Sequence, residues 1–201
     1  MSQKKPRQLF WYRIKLLALV AVFLSPFVGG WLALYVFEIR PQSGNYGELI
    51  QPVKKLSWPL LETVDGAGIE EGFGRRWALL LFSAEACGEQ CRSNLFYMRQ
   101  IRTLLGRDTL RLQNVFISAV PLSEEMKGFL YAYPNFIVIE NNQDERLYKQ
   151  FRLPGYEQVG KSAKMYLVDP DQNLMMHYPE DNLENRVLED IRKLMKLSQI
   201  G

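Results

Sequence analysis

The chain has 201 residues, 47% of them hydrophobic and 23% charged, a globular balance that excludes a disordered or collagen-like polymer. Its formal charge of +3 is unevenly spread: residues 1–37 hold five basic side chains and no acid, so the remaining chain has slightly more acid than base. A folded part without a basic excess is a poor binder of phosphate backbones, and nucleic acid is not an expected partner. Two cysteines and one histidine are too few for a structural zinc site of four such side chains.

Residues 16–37, LLALVAVFLSPFVGGWLALYVF, run without a charge. At about 1.5 Å per residue they predict a helix of roughly 33 Å, enough to cross a bilayer core. Lys4, Lys5, Arg7, Arg13 and Lys15 precede this run, whereas Glu38 and Arg40 follow it. The positive-inside bias therefore predicts a cytoplasmic basic tail over residues 1–15 and a main domain on the far side. A cleaved signal peptide opens in the same way, but its apolar core is about 7 to 15 residues long and ends at small residues. Here the run is longer and Glu38-Ile39-Arg40-Pro41 follows it, so an uncleaved anchor is expected. The short basic segment lacks the Arg- and Ser-rich transit pattern, which favours a bacterial inner membrane with the domain in the periplasm.

Residues 38–58 contain Pro41, Gly44, Gly47 and Pro52, and this density of turn formers predicts a tether with little regular structure. Residues 59–201 form the exported domain. A short strand is expected over 60–64, ended by Asp65-Gly66. Residues 77–82 are a continuous apolar run, as in a strand buried on both faces. Leu95, Met98, Ile101, Leu104 and Leu105 recur at helical spacing, predicting a helix over 93–105 with Gly106 as its stop. A second buried strand follows at 112–118, then a helix over 123–132, a strand at 136–139 and a helix over 143–151. Residues 165–168 and 174–178 flank the turn Asp169-Pro170-Asp171-Gln172-Asn173 and predict a hairpin. A terminal helix over 183–197 places Val187, Ile191, Leu194 and Leu197 on one face. Two β-α-β units, a hairpin and a helix predict an α/β fold: a thioredoxin-like mixed sheet flanked by helices, behind one transmembrane helix.

Cys87 and Cys91 lie in FSAEACGEQCRSNL, between the first buried strand and the helix that leaves it. A helix N-terminus favours thiolate over thiol. A spacing of four puts the sulfurs one turn apart, near enough for a disulfide or for two thiolates on one soft ion. As a staple alone, a loop of about five residues contributes only about 2 kcal/mol; an inert bridge is the plainer alternative. His177 lies on the returning strand of the hairpin, where a solvated imidazole is expected rather than a ligand. Met165, Met175 and Met176 are soft thioethers that at strand spacing read as packing. No GxSxG, HExxH or P-loop pattern supports hydrolase or nucleotide chemistry.

LLLFSAEACGEQC, NVFISAVP at 114–121 and MYLVDPDQN at 165–173, in this order behind one anchor, resemble the Sco/SenC family of thioredoxin-like proteins. NYGELIQP at 45–52 is similar to the stretch before that domain in some relatives. The resemblance implies a membrane-tethered accessory protein that helps to mature cytochrome c oxidase, loading copper into subunit II or reducing its cysteines, with oxidase subunit II or its assembly factors as partners. It implies Cys87 and Cys91 as the redox pair, forming a disulfide and serving as copper ligands. The family's third copper ligand, a histidine, is replaced at or near Lys161, its usual proline after the second cysteine by Arg92, and its acid in the ISxDP-like segment by Val120. Lys161 near the thiolates would favour exchange without metal. Three readings follow: copper delivery, thiol-disulfide exchange without stored metal, and a non-catalytic assembly scaffold or oxidase subunit with an inert cysteine pair.

Overall fold

The computed structural model describes residues 6–35, 44–69, 71–140, 142–155, 158–179 and 186–198. The chain divides into two units, residues 1–44 and residues 45–201. The first contains one helix, α1, over Pro6–Tyr35. Within α1, Phe10–Leu32 is a 23-residue stretch long and apolar enough to cross a membrane. Pro26 sits inside the helix without ending it. Residues 36 and 37 of the expected span lie outside the described residues.

In the second unit the strands are β1 (Glu48–Lys55), β2 (Leu61–Glu62), β3 (Gly68–Ile69), β4 (Trp77–Ser83), β5 (Leu112–Ser118), β6 (Phe136–Ile139), β7 (Met165–Val168) and β8 (Asn173–Tyr178). The helices are α2 (Glu89–Leu104), α3 (Glu124–Tyr131), α4 (Glu145–Phe151) and α5 (Arg186–Leu197). β2 and β3 form a small hairpin, and the other strands form one sheet in the order β1-β8-β7-β4-β5-β6. β4, β5 and β6 run parallel, while β7 is antiparallel to β4 and to β8. The mixed thioredoxin-like sheet flanked by helices, expected from the order of elements, is thus present.

β4 shows how the sheet is buried on both sides. Trp77, Leu79 and Leu81 face α2, α3 and α5 through Leu95, Met98, Met126 and Ile191. Ala78, Leu80 and Phe82 face α4 through Leu147 and Phe151, as the period of two requires. Phe151 packs on Phe82 and Tyr166 with ring centroids 4.7 and 5.3 Å away. Truncating so buried an aromatic costs about 3 to 5 kcal/mol.

Three expectations need correction. The tether expected over 38–58 contains β1, paired antiparallel with β8 from Glu48↔His177 to Lys55↔Asn173. Its charged residues suit an edge strand, and Pro52 lies where the register shifts between Leu49 and Lys54. The buried Asp190 of α5 fixes the entry to β1, accepting N–H bonds from Tyr46 at 2.9 Å and Gly47 at 2.8 Å. A Cβ on Gly47 would stand 2.6 Å from the Tyr178 ring, so the close approach requires glycine. Helix α2 begins four residues earlier than its apolar periodicity predicts, because its first turn is polar and its N-cap, Gly88, offers no capping side chain. Finally, Leu104 and Leu197, expected on apolar faces, are exposed, whereas Leu105 is buried as expected and Met195 is buried in addition. Both outliers lie in the last turn of their helices. Residues 183–185 of the expected terminal helix lie outside the described residues.

Candidate functional site

The end of β4 is clamped from two sides. Ala119 N–H donates to Ser83 O at 2.8 Å, and Ala84 N–H donates to Gly160 O at 3.0 Å. Gly160 has φ +86°, and a Cβ there would come within 2.7 Å of Ala84 N, so only glycine lets the 158–164 loop lie this close. The chain then turns through Cys87 and Gly88 into α2, whose backbone ladder opens with Arg92 N–H bonded to Gly88 O at 3.0 Å.

Cys87 and Cys91 are joined in a disulfide, with their Cα atoms 5.3 Å apart. The partners are unequal. Cys91, in the first turn of α2, is buried with Leu95 and Met98, whereas Cys87 is half-buried and lines an open cleft of about 630 Å³. Phe96 and Phe129 border that cleft. Arg92 spans it: Nη1 bonds to Glu125 Oε1 at 2.7 Å, Nε lies 3.5 Å from Cys87 O, and Cζ lies 5.9 Å from the Phe129 ring centroid. That hydrogen bond, with the guanidinium charge, holds the Glu125 carboxyl below its ordinary value. The unpaired N–H groups of the first helical turn also point toward this end, so a reduced Cys87 would meet positive potential.

Asn94 was not anticipated from the sequence. Fully buried on α2, it donates to Ala163 O at 2.5 Å and so ties the cysteine helix to the 158–164 loop. Its only sequence signal is an amide interrupting the apolar face of a helix. Lys161, aligned with the missing histidine, is exposed and lines a different cleft, with Ala84, Tyr148 and Arg152. The buried lysine of that loop is Lys164.

His177 is buried, not solvated as expected, and the strand that carries it is not a sheet edge, because β1 pairs along its outer side. Its Nε2 lies 3.0 Å from Glu48 Oε2. Burial pushes its pKa below the ordinary imidazole value, with Glu48 pulling it up and Lys164 pushing it further down. On the neighbouring position, burial and then Asp190 drive the Tyr178 hydroxyl well above its usual range. Met165 and Met176 are fully buried core residues, and Met175 packs against the same core. Among the described residues, no three His, Cys, Asp or Glu side chains gather as they would around a metal ion.

Residues 77–198, well over half of the chain, match the family described as a transmembrane-like, thioredoxin-like C-terminal domain. The chain belongs to that family. The chain also matches a Stutzerimonas stutzeri protein that bears a copper-binding name, at 32% identity over 117 residues. The match covers 51% of this chain and 57% of the relative, so the chain spans little more than half the length of its curated relative. Its fold is shared with apo Sco1 from Thermus thermophilus, at TM-score 0.60 and 22% identity, over 78% of this chain and all of that one. It is shared too with BsSco, a member of the Sco family of cytochrome c oxidase assembly proteins, at TM-score 0.55 and 19% identity, over 73% and 96% of the two chains. The Sco-like resemblance read from the sequence therefore holds at the level of the fold.

Proposed function

We propose that this thioredoxin-like protein is a Sco-like accessory factor in cytochrome c oxidase biogenesis. It is held by α1 in a bacterial inner membrane with its domain in the periplasm, and it acts by thiol-disulfide exchange through Cys87. The observation that carries the reading is the inequality of the two sulfurs at the start of α2, one at an open cleft and one in the core. In the reduced pair, the Cys87 thiolate attacks a partner's disulfide and releases one partner thiolate. The Cys91 thiolate then attacks the Cys87 sulfur, closes the Cys87–Cys91 bond and releases the second. Two electrons pass from this chain to the partner, and a dithiol donor returns the pair to its reduced state.

The test uses the full-length protein in detergent. Equilibration with glutathione buffers should give a reduction potential more oxidising than about −300 mV. Cys91→Ser, which strands the exchange half-way, should trap a mixed disulfide with an oxidase subunit or assembly factor in membranes. A potential below that value, with nothing trapped, overturns the reading.

Copper delivery is the second reading, favoured by the name of the Stutzerimonas stutzeri relative. Copper would then be cargo, and the two thiolates of the reduced pair are the soft donors on offer. The remaining candidates do not join them: Lys161 lines a different cleft, and His177 is buried beside Glu48. Titration of the reduced protein with Cu(I) in competition with a chromogenic chelator separates the readings. One tightly held ion per chain, lost in Cys87→Ser/Cys91→Ser, selects delivery.

A further inference from the structure

Arg92, Ser93, Phe96, Arg99, Arg102 and Thr103 recur at spacings of three and four, and so form one stripe along α2. The first half of the stripe borders the Cys87 cleft, and the second half borders another cleft of about 360 Å³. Tyr133 lines both, so the two adjoin along the helix. Their chemistry differs. Near Cys87 the walls are aromatic, and the one arginine is already paired with Glu125.

At the far end, Arg99 lies over the Tyr133 ring at 5.0 Å, and Arg102 spends its Nε on Leu112 O. Arg76 adds its charge beside Arg102. Among the described residues, no carboxylate pairs with Arg76, Arg99 or Arg102. The far cleft also offers acceptors. Asn114, fully buried at its wall, donates to Met98 O, and its Oδ1 meets no donor among the described residues. The Thr109 hydroxyl donates to main-chain oxygens, which leaves it acceptor capacity. Guanidinium donors beside spare acceptors suit a ligand that has a carboxylate and N–H groups together, as an acidic peptide does.

We infer that this stripe is a docking groove for an extended segment of the partner protein, with an apolar residue beside its reactive cysteine and an acidic residue held by Arg99 and Arg102. The assignment rests on the exchange reading above and adds the substrate class to it. From Cys87 to Arg99 and Arg102 the helix rises about 18 to 22 Å, a length spanned by about five to seven residues of extended chain. The groove therefore measures the spacing between cysteine and acid.

The test uses full-length protein in detergent and synthetic dodecapeptides. Each contains one cysteine activated as a mixed disulfide and two adjacent aspartates, six or two residues away, or two lysines in place of the distant aspartates. With Cys91→Ser protein, the six-spaced acidic peptide should react about tenfold faster than the lysine peptide at low salt, and the gap should close at high salt. Arg99→Glu, an exposed substitution, should reverse the preference. Labelled serine-for-cysteine peptides, followed by fluorescence anisotropy on the oxidised protein, report docking without chemistry. Equal rates and equal binding for all peptides overturn the groove and leave exchange standing. Equal performance of the two acidic spacings reduces it to general charge attraction and overturns it as well. Selective binding of the six-spaced peptide, lost in Arg99→Glu, with no reaction by any peptide, keeps the groove and removes exchange.

Discussion

The cysteine end of β4 and the histidine of β8 each place a chemically capable residue in or beside a strand of the central sheet. The fold treats them oppositely. Cys87 sits beyond the end of its strand, beside an open cleft, with a helix N-terminus behind it. His177 lies within its strand, which is flanked by β1, a strand from a distant part of the chain. Accessibility here is decided by what lies next to a strand in the sheet, which residue type does not reveal.

The contrast can be broken most severely at the cysteines themselves. Cys87→Ser/Cys91→Ser should abolish exchange with a glutathione disulfide while leaving the far-ultraviolet circular dichroism unchanged, because the bridge closes only a short loop. On the other side, Asp190→Ala removes the acceptor for Tyr46 and Gly47 N–H and should cost about 3 kcal/mol in urea unfolding of the full chain. It should also release β1 and open His177 to solvent, read as faster amide exchange over residues 48–55. Gly160→Ala disturbs the clamp on β4 and should cost about 2 kcal/mol, with a measurable change in the reactivity of Cys87.

A smaller effect is expected from pH. The folded His177 has a depressed pKa, so below the unfolded value of about 6.5 the unfolded chain takes up a proton that the folded one resists. Stability should thus be fullest above about pH 6.5 and decline as pH falls toward the folded pKa. His177→Asn should flatten that slope in urea midpoints measured between pH 7.5 and 5.5. The same substitution should leave the exchange rate within about twofold of the parent. A larger loss would mean that the covered imidazole communicates with the sulfurs, and the contrast would fail.

Much of this was legible from residues close together in sequence. The limits of β5, β6 and β7 follow directly from apolar runs bounded by turns, and the helices expected over 123–132 and 143–151 appear as α3 and α4, which the structure shows to be capped by Ser123 and Asp144. The cysteine pair at the strand-to-helix turn was legible for the same reason. What escaped depends on distant partners. β1 reads as polar and proline-broken because only one of its edges is paired, and the burial of His177 is a consequence of that strand. The place of Lys161 beside Tyr148 and Arg152 depends on how the 158–164 loop wraps over Ala84, which no local pattern encodes.

The two borders of the sheet have a consequence for crowding. β1 carries Pro52, Lys54 and Lys55, and at the opposite border Val64 N–H already occupies Val138 O at 2.9 Å. A stray strand therefore finds no uninterrupted row of backbone partners on either flank. Copies that collide therefore lack a ready template for strand-by-strand pairing along these borders.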